Sequence, residues 1–224
     1  MARSGPTSGD VVRRRPKDRK EQIARAAAEA FSRFGYYGVS MEMIASRVGI
    51  TAAALYRHYP GKYDLFRGAV LGLGQQLVDC TAFADDEPLD DPQDQLHRLI
   101  AALVDTSLAN RNSGGLYRWE GRYLRGDDQA ELIAQMRKVH RRIQRPLNEM
   151  RPGLTSTQRW TLSTAVISVI GSIVDHRAKL PAAQVRRLIA ELADTVVRTD
   201  LPVEPDGDRL LSTGQPARTD TSRY

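Results

Sequence analysis

Residues 39–62 read Val-Ser-Met-Glu-Met-Ile-Ala-Ser-Arg-Val-Gly-Ile-Thr-Ala-Ala-Ala-Leu-Tyr-Arg-His-Tyr-Pro-Gly-Lys, and no other stretch constrains the chain as much. Ser40 can cap a helix over residues 41–48, because its hydroxyl can accept a first-turn N–H that has no partner inside the helix. Glu42 lies in that first turn, where the helix dipole favours an anion. Gly49 permits a sharp turn. Thr51 caps a second helix over residues 52–59, whose three alanines carry high helix propensity and which Pro60 and Gly61 end. Two short helices across a turn of about three or four residues make a helix-turn-helix, the geometry that sets one helix into the major groove of DNA.

In such a pair Ile44, Ala45, Val48, Ile50 and Leu55 are spaced to fill a small core, leaving Thr51, Ala52, Ala53, Tyr56, Arg57 and His58 outside it. Tyr56 and His58 can donate to phosphate oxygens. An alanine methyl at the front of the recognition helix can touch a thymine methyl without blocking close approach, although alanine reads few bases.

Ile44-Ala45, Gly49-Ile50, Leu55-Tyr56-Arg57-His58-Tyr59, Lys62 and Asp64-Leu65-Phe66 together resemble the DNA-binding domain of the TetR (tetracycline-repressor) family of transcriptional regulators. The resemblance covers residues 20–70, near the N-terminus and ahead of a long helical region, as in the family. It implies that Tyr56, His58 and Lys62 take the positions of phosphate contacts, and that Ser40, Met41, Ala52 and Ala53 take positions that often face bases or backbone. Two departures stand out: Ala52 and Ala53 lack the polar groups common there, and Tyr63 stands where the family often has an acidic residue. The operator sequence therefore does not follow by analogy.

Charge divides the chain in the same place. Residues 1–62 hold 12 Lys or Arg against 5 Asp or Glu, a net of +7, whereas residues 63–224 hold 21 against 22, a net of −1. A positive field confined to one end attracts phosphate, speeds association and makes binding salt-sensitive through counterion release. Residues 1–16, rich in Gly, Ser, Pro and Arg, cannot bury apolar surface and are expected to be a disordered arm. Arg13, Arg14 and Arg15 in it can reach into a minor groove, or can form a solvated tail. Residues 203–224 are expected to be a second loose tail. No apolar run of membrane-spanning length and no signal-peptide core is present, and Cys80 is the single cysteine. A cytoplasmic protein that engages no membrane is the expectation, with Cys80 a small apolar residue rather than a redox sensor.

Between the tails the periodicity is helical throughout, so the fold class is all-α: a helix-turn-helix domain over residues 17–62, then a helical ligand-binding and dimerisation domain over residues 63–202. Helices are expected over residues 19–34, 62–83, 93–110, 113–125, 127–150, 156–177 and 182–198, each bounded by turn chemistry such as Asn112-Ser113-Gly114-Gly115 or Arg151-Pro152-Gly153. The helix from residue 62 is the mechanical link between the two domains. In the helix over 113–125, Leu116, Trp119, Tyr123 and Leu124 form an apolar side and Arg118, Arg122 and Arg125 a basic one. Glu120 falls on the apolar side, where a carboxylate needs either an arginine partner or a polar group of a ligand. In the family the resembling bundle encloses an apolar ligand cavity, which makes Tyr117, Trp119, Glu120, Tyr123 and His140 the candidate ligand-binding residues.

Residues 163–174 intersperse Ala165, Ser168, Gly171 and Ser172 with Val and Ile, so this helix is apolar nearly all round; Leu188 and Leu192 belong to a matching stripe on the last helix. Packing within the chain can satisfy both faces. The resemblance instead implies a four-helix dimer interface, which a two-fold operator also favours. The four histidines show no metal-ligand spacing and no phosphate-binding glycine loop is present, so neither a metal nor a cofactor is expected. The enzymatic rival would use Glu120 and Asp175 with His140 or His176 as acid and base. The sequence reads instead as a homodimeric, non-enzymatic transcriptional regulator, a repressor released from double-stranded operator DNA by a small, largely apolar inducer such as a fatty acyl compound. A ligand-independent DNA-bending protein is the other binding reading.

Overall fold

The computed structural model describes residues 16–175 and 180–201, and among them it is helical with no strand. Nine α-helices run in chain order: α1 Pro16–Phe34, α2 Met41–Val48, α3 Ala52–Tyr56, α4 Lys62–Cys80, α5 Phe83–Asp86, α6 Pro92–Ala109, α7 Asp127–Met150, α8 Ser156–Asp175 and α9 Ala182–Arg198. Helix α1 starts three residues before the periodicity does, with a proline at its first position, where the missing N–H has no helical partner to lose. Pro16 is thus the one described residue of the expected arm; Arg13, Arg14 and Arg15 lie outside the described residues, as do 203–224 and the expected last turn of α8 at 176–177.

The head, α1 to α3 with the first half of α4, is held by one apolar cluster containing Ile23, Ala27, Phe31, Ile44, Leu55, Leu65 and Phe66, all fully buried. Helix α3 is shorter than the expected 52–59. The His58 and Tyr59 amides both donate to the Leu55 carbonyl, 2.9 and 3.0 Å, which tightens the chain into a turn, and the Tyr59 ring goes into the core. A second cluster joins Leu77 and Val78 at the far end of α4 to Leu96, Ile100, Ile143, Leu147, Val166, Ile170, Val185 and Ile189 of α6 to α9. Helix α4 supplies six residues to the first cluster and Leu77 and Val78 to the second, and α7 also reaches both, with Leu132 in the first and Val139, Ile143 and Leu147 in the second, so displacing α4 must disturb both cores.

Helix α4 stops at Cys80 rather than near residue 83. The Thr81 hydroxyl, fully buried, donates to the Leu77 and Val78 carbonyls at 2.8 and 3.1 Å. Arg142 of α7 completes this cap: Nη1 donates to Val78 O and to Thr81 Oγ1, while Nε and Nη2 grip both oxygens of Asp85 on α5. The guanidinium is buried yet saturated with acceptors, which is the condition under which a buried cation is tolerated.

The segment expected as a helix over 113–125 is not one. It forms a single π turn at Leu116–Glu120, then a 3₁₀ turn at Gly121–Tyr123, and Gly126 at φ +50° ends it. Its glycines permit the close packing that breaks the helix: a Cβ on Gly114 would lie 2.7 Å from Val174 of α8, and one on Gly121 2.8 Å from Leu132 of α7. Changing from π to 3₁₀ winding rotates successive side chains away from the faces an α-helix would give them.

Candidate nucleic-acid interface

The two helices of the head begin and end where side-chain chemistry dictates. Ser40 Oγ accepts the Met43 amide at 3.2 Å and Thr51 Oγ1 accepts the Ala54 amide at 3.1 Å, both from extended backbone. Gly49 takes the left-handed conformation, φ 70° and ψ 38°, and its amide and that of Ile50 return to Ser46 and Ala45, the paired bonds of a glycine-terminated helix. The turn this creates leaves Thr51, Ala53, Tyr56, Arg57 and His58 exposed and Ala52 half-buried, along one short rod. Ser40 is exposed at the neighbouring helix start. Met41 is not on this surface: at 4% exposure its side chain belongs to the apolar core of the head, because the first residue of α2 faces inward toward α1.

Lys62 opens α4, whose first-turn amides have no side-chain cap at Gly61, so free N–H groups and a cation share one spot. Its ammonium sits 4.6 Å from the centre of the Tyr36 ring, and among the described residues no carboxylate pairs with it. Tyr36, in the loop between α1 and α2, is the residue the sequence did not single out. Its ring packs on Phe66 and Tyr123, and its amide donates to Glu120 Oε2 at 3.0 Å. Glu120 therefore has a backbone amide as a partner rather than an arginine, and it ties the π turn to the head. No spacing rule joins positions 84 residues apart, so nothing local in the sequence signals this bond.

The five residues expected to line a ligand cavity are not brought together. Tyr117 borders a cavity, with Leu73 and Leu77 of α4, Thr106 and Ser107 of α6 and Gly171 and Val174 of α8; at ≈ 10 Å³ it has room for about one water. Burial raises the pKa of its hydroxyl. Trp119 is 57% exposed and its indole N–H donates to Asp175 at 3.0 Å. Tyr123 belongs to the aromatic cluster with Tyr36 and Tyr37. His140 packs in the α7–α8 seam, stacked on Trp160 at 4.4 Å and 3.0 Å from the Ser163 hydroxyl, and burial lowers its pKa. Each departure follows from the broken helix or from packing that periodicity does not show. Glu120, Asp175 and His140 have separate partners and do not form an acid–base set; His176 lies outside the described residues.

Arg118 is a feature the sequence offered only as one of three basic residues. Its guanidinium lies against Gly171, where an added Cβ would collide with it, and Nη1 is buried with no partner among the described residues. Asp175, 3.9 Å away, is its nearest carboxylate. A wider open groove of ≈ 700 Å³ runs between α1 and α4, floored by Ala24, Ala28, Ala69 and Gly72 with Glu21, Arg25 and Glu29 at its rim; it includes none of the five expected residues.

On α8 and α9, Leu188 and Leu192 are 45% and 44% exposed and Ser168 is exposed, with Ala165 and Ser172 half-buried. Gly171 departs from the expected interface: it is buried beneath Arg118 inside the chain. Two leucines one helical turn apart left facing water form an apolar stripe without a partner in the monomer.

Residues 23–69 match the family described as bacterial regulatory proteins, tetR family. The nucleoid occlusion factor SlmA of Photobacterium profundum is 27% identical over 134 residues, which cover 59% of this chain and 66% of that protein. A TetR-family regulatory protein from Rhodococcus RHA1 superposes with a TM-score of 0.70 at 20% identity, covering 80% of this chain and 95% of that one. AibR, solved with isovaleryl coenzyme A and operator DNA, superposes with a TM-score of 0.62 at 19% identity, covering 78% and 97%. No helix among the described residues is long and apolar enough to cross a membrane.

Proposed function

We propose that this chain, a TetR-family transcriptional regulator in its DNA-reading module and its fold, is a homodimeric repressor that a small, largely apolar molecule with an acidic group releases from operator DNA. The observation that carries the reading is the head itself: a capped two-helix unit whose outer rod presents Thr51, Ala53, Tyr56, Arg57 and His58 beside a lysine at an uncapped helix start. Tyr56, His58 and Lys62 supply backbone contacts that fix register, while Thr51, Ala52 and Ala53 approach the base edges. The leucine stripe of α9, with α8 beside it, joins two copies so that two heads meet two half-sites.

Release must come from a ligand that binds one conformation better than the other. The π turn is suited to report such binding, since its four consecutive residues face three different places. Tyr117 walls the cavity, Arg118 lies on α8, Trp119 bonds to Asp175, and Glu120 holds the head. A ligand that enlarges the cavity pushes this turn, and Glu120 carries the movement to the loop before α2. The unpartnered Arg118 Nη1 beside Gly171, a residue that borders the same cavity, supports an acidic group on the ligand. AibR was solved in complex with isovaleryl coenzyme A and operator DNA, which supports acyl compounds as the first class to try.

Duplexes enriched by the wild-type protein from a random-sequence pool supply the operator, and fluorescence anisotropy measures its release by straight-chain fatty acids and their coenzyme A thioesters. Coupling energies of about 1 to 3 kcal/mol correspond to weakening of about 5- to 150-fold. Arg118→Gln should raise the ligand dose needed for release by about tenfold, the loss of one charge-assisted bond. An unshifted dose in that variant removes Arg118 from the ligand site, and failure to enrich any duplex removes the DNA-reading function.

A further inference from the structure

We propose that the DNA-contacting surface continues beyond the head onto the second domain, where Arg122 and Arg125 bind backbone phosphates flanking each half-site. The proposal rests on the DNA-reading function above and extends its phosphate-binding surface by two arginines. Three observations carry it: a continuous stack, a set of unspent cations, and two acidic neighbours already engaged.

The stack begins at Lys62, the cation at the start of α4. Its ammonium lies 4.6 Å from the Tyr36 ring; Tyr36 stacks on Tyr123 at 6.1 Å with 25° between planes; and the Arg122 guanidinium lies 5.0 Å from the Tyr123 ring. Beside it, Arg125 lies 4.9 Å from the ring of Tyr63, the next residue of α4, and its amide donates to the Tyr63 hydroxyl at 2.9 Å. The two arginines are thus held by rings that themselves pack at the Lys62 end of the reading surface, rather than standing on an unrelated face of the bundle.

Both side chains are exposed, and among the described residues neither is paired with a carboxylate. Two of the acidic groups near them have other work, while Asp127, two residues from Arg125, is exposed. Glu120 accepts the Tyr36 amide, and Asp128 is gripped by Arg67 and by the Tyr63 hydroxyl. A guanidinium lying on a ring keeps in-plane N–H groups available; Arg122 Nη2 places one on the Tyr123 hydroxyl at 3.4 Å, and holding the group there lowers the entropy lost when the remaining N–H groups close on a phosphate. Charge complementarity and continuity with the Lys62 end of the interface therefore select the DNA backbone as occupant. A base-specific role is not implied, since phosphate contacts set register without reading sequence.

The test is the salt dependence of binding to the duplexes enriched from the random pool, for wild type, Lys62→Ala, Arg122→Gln/Arg125→Gln and Arg122→Lys/Arg125→Lys. Releasing one phosphate from the protein should lower the slope of log affinity against log salt by about 0.9, so the glutamine pair, which removes two contacts from each protomer of the dimer, should lose about 3.6 units and the lysine pair should keep the wild-type slope. Trimming the duplex to end at the half-sites should remove the same share of the slope from the wild type while leaving the glutamine pair unmoved, which separates direct phosphate binding from a fold defect. A helical, dimeric glutamine pair with the wild-type slope and affinity overturns the proposal and leaves a solvated basic face. If the wild type enriches no duplex at all, the DNA-reading function falls with it. If Lys62→Ala alters the slope and the glutamine pair does not, only this extension falls.

Discussion

Glu120→Ala isolates the tie between the two domains. The Glu120 carboxylate accepts the Tyr36 amide at 3.0 Å, and the four residues after Tyr36 lead to the Ser40 cap of α2. A hydrogen bond to a charged group contributes about 1.5 to 3 kcal/mol, and because this one is only partly buried, water replaces some of it, leaving about 1 to 2 kcal/mol. That corresponds to about a 5- to 30-fold rise in the fraction of molecules whose loop is detached. Amide hydrogen exchange reads this directly: the Tyr36 amide should exchange about 5- to 30-fold faster in Glu120→Ala, while the amide of Ile100, deep in the second cluster, should not change. Glu120→Gln keeps an acceptor oxygen and should lose less than about fivefold. Ligand-driven release of DNA should shrink in the alanine variant in step with the exchange. Unchanged exchange at Tyr36 in Glu120→Ala, or an equal acceleration at Ile100, refutes the tie.

Lys62→Ala should weaken binding similarly across operator variants and flatten the salt slope by about one unit per protomer, about two for the dimer, measured by anisotropy over a salt series. Leu188→Glu with Leu192→Glu should place like charges on the exposed stripe of α9 and shift the dimer to monomer in sedimentation equilibrium, with DNA affinity falling as the second head is lost; a dimer that persists removes the stripe from the interface. Arg142 holds the Asp85 carboxyl below the ordinary carboxylate range, mainly by hydrogen bonding to it. A folded-state pKa that is depressed gives stability present above the unfolded value of about 3.9 and lost as pH falls through the folded one. Thermal denaturation should show that Asp85→Asn lowers stability at neutral pH by about 1 kcal/mol, a figure discounted for the half-exposed carboxylate, and flattens the drop below about pH 4. An unchanged acid drop assigns it to other groups.

The head was legible because its determinants are local. Ser40, Gly49 and Thr51 each act on backbone groups within four residues, and Ile44, Ala45 and Leu55 are buried as their spacing demands. Where the reading missed in the head, the cause was a side chain whose direction depends on a distant helix: Met41, one residue past a cap, turns inward because α1 offers it a core. The ends of α3 and α4 were missed for the same kind of reason. Tyr59 leaves α3 to fill the core, and Arg142, 61 residues beyond Thr81, caps α4 from another helix.

The winding of residues 113–125 was illegible for a different reason, which bears on mechanism. Residues 113–125 carry a helical pattern of apolar and basic side chains, and a regular helix would have put Trp119, Tyr123 and Glu120 on one face. Glycines at 114 and 121 let α7 and α8 press so close that the chain loosens into one π turn and then tightens into a 3₁₀ turn. The faces then separate, and residues that would have formed one lining instead point at the cavity, at α8, at solvent and at the head. A single α-helix with the same side chains could line a pocket, but its Glu120 would be turned toward that lining and could not also hold the Tyr36 amide. The irregular winding is therefore what allows one short segment to touch the small cavity beside Tyr117 and the helix-turn-helix head together, and a sequence pattern that assumes regular winding cannot show it.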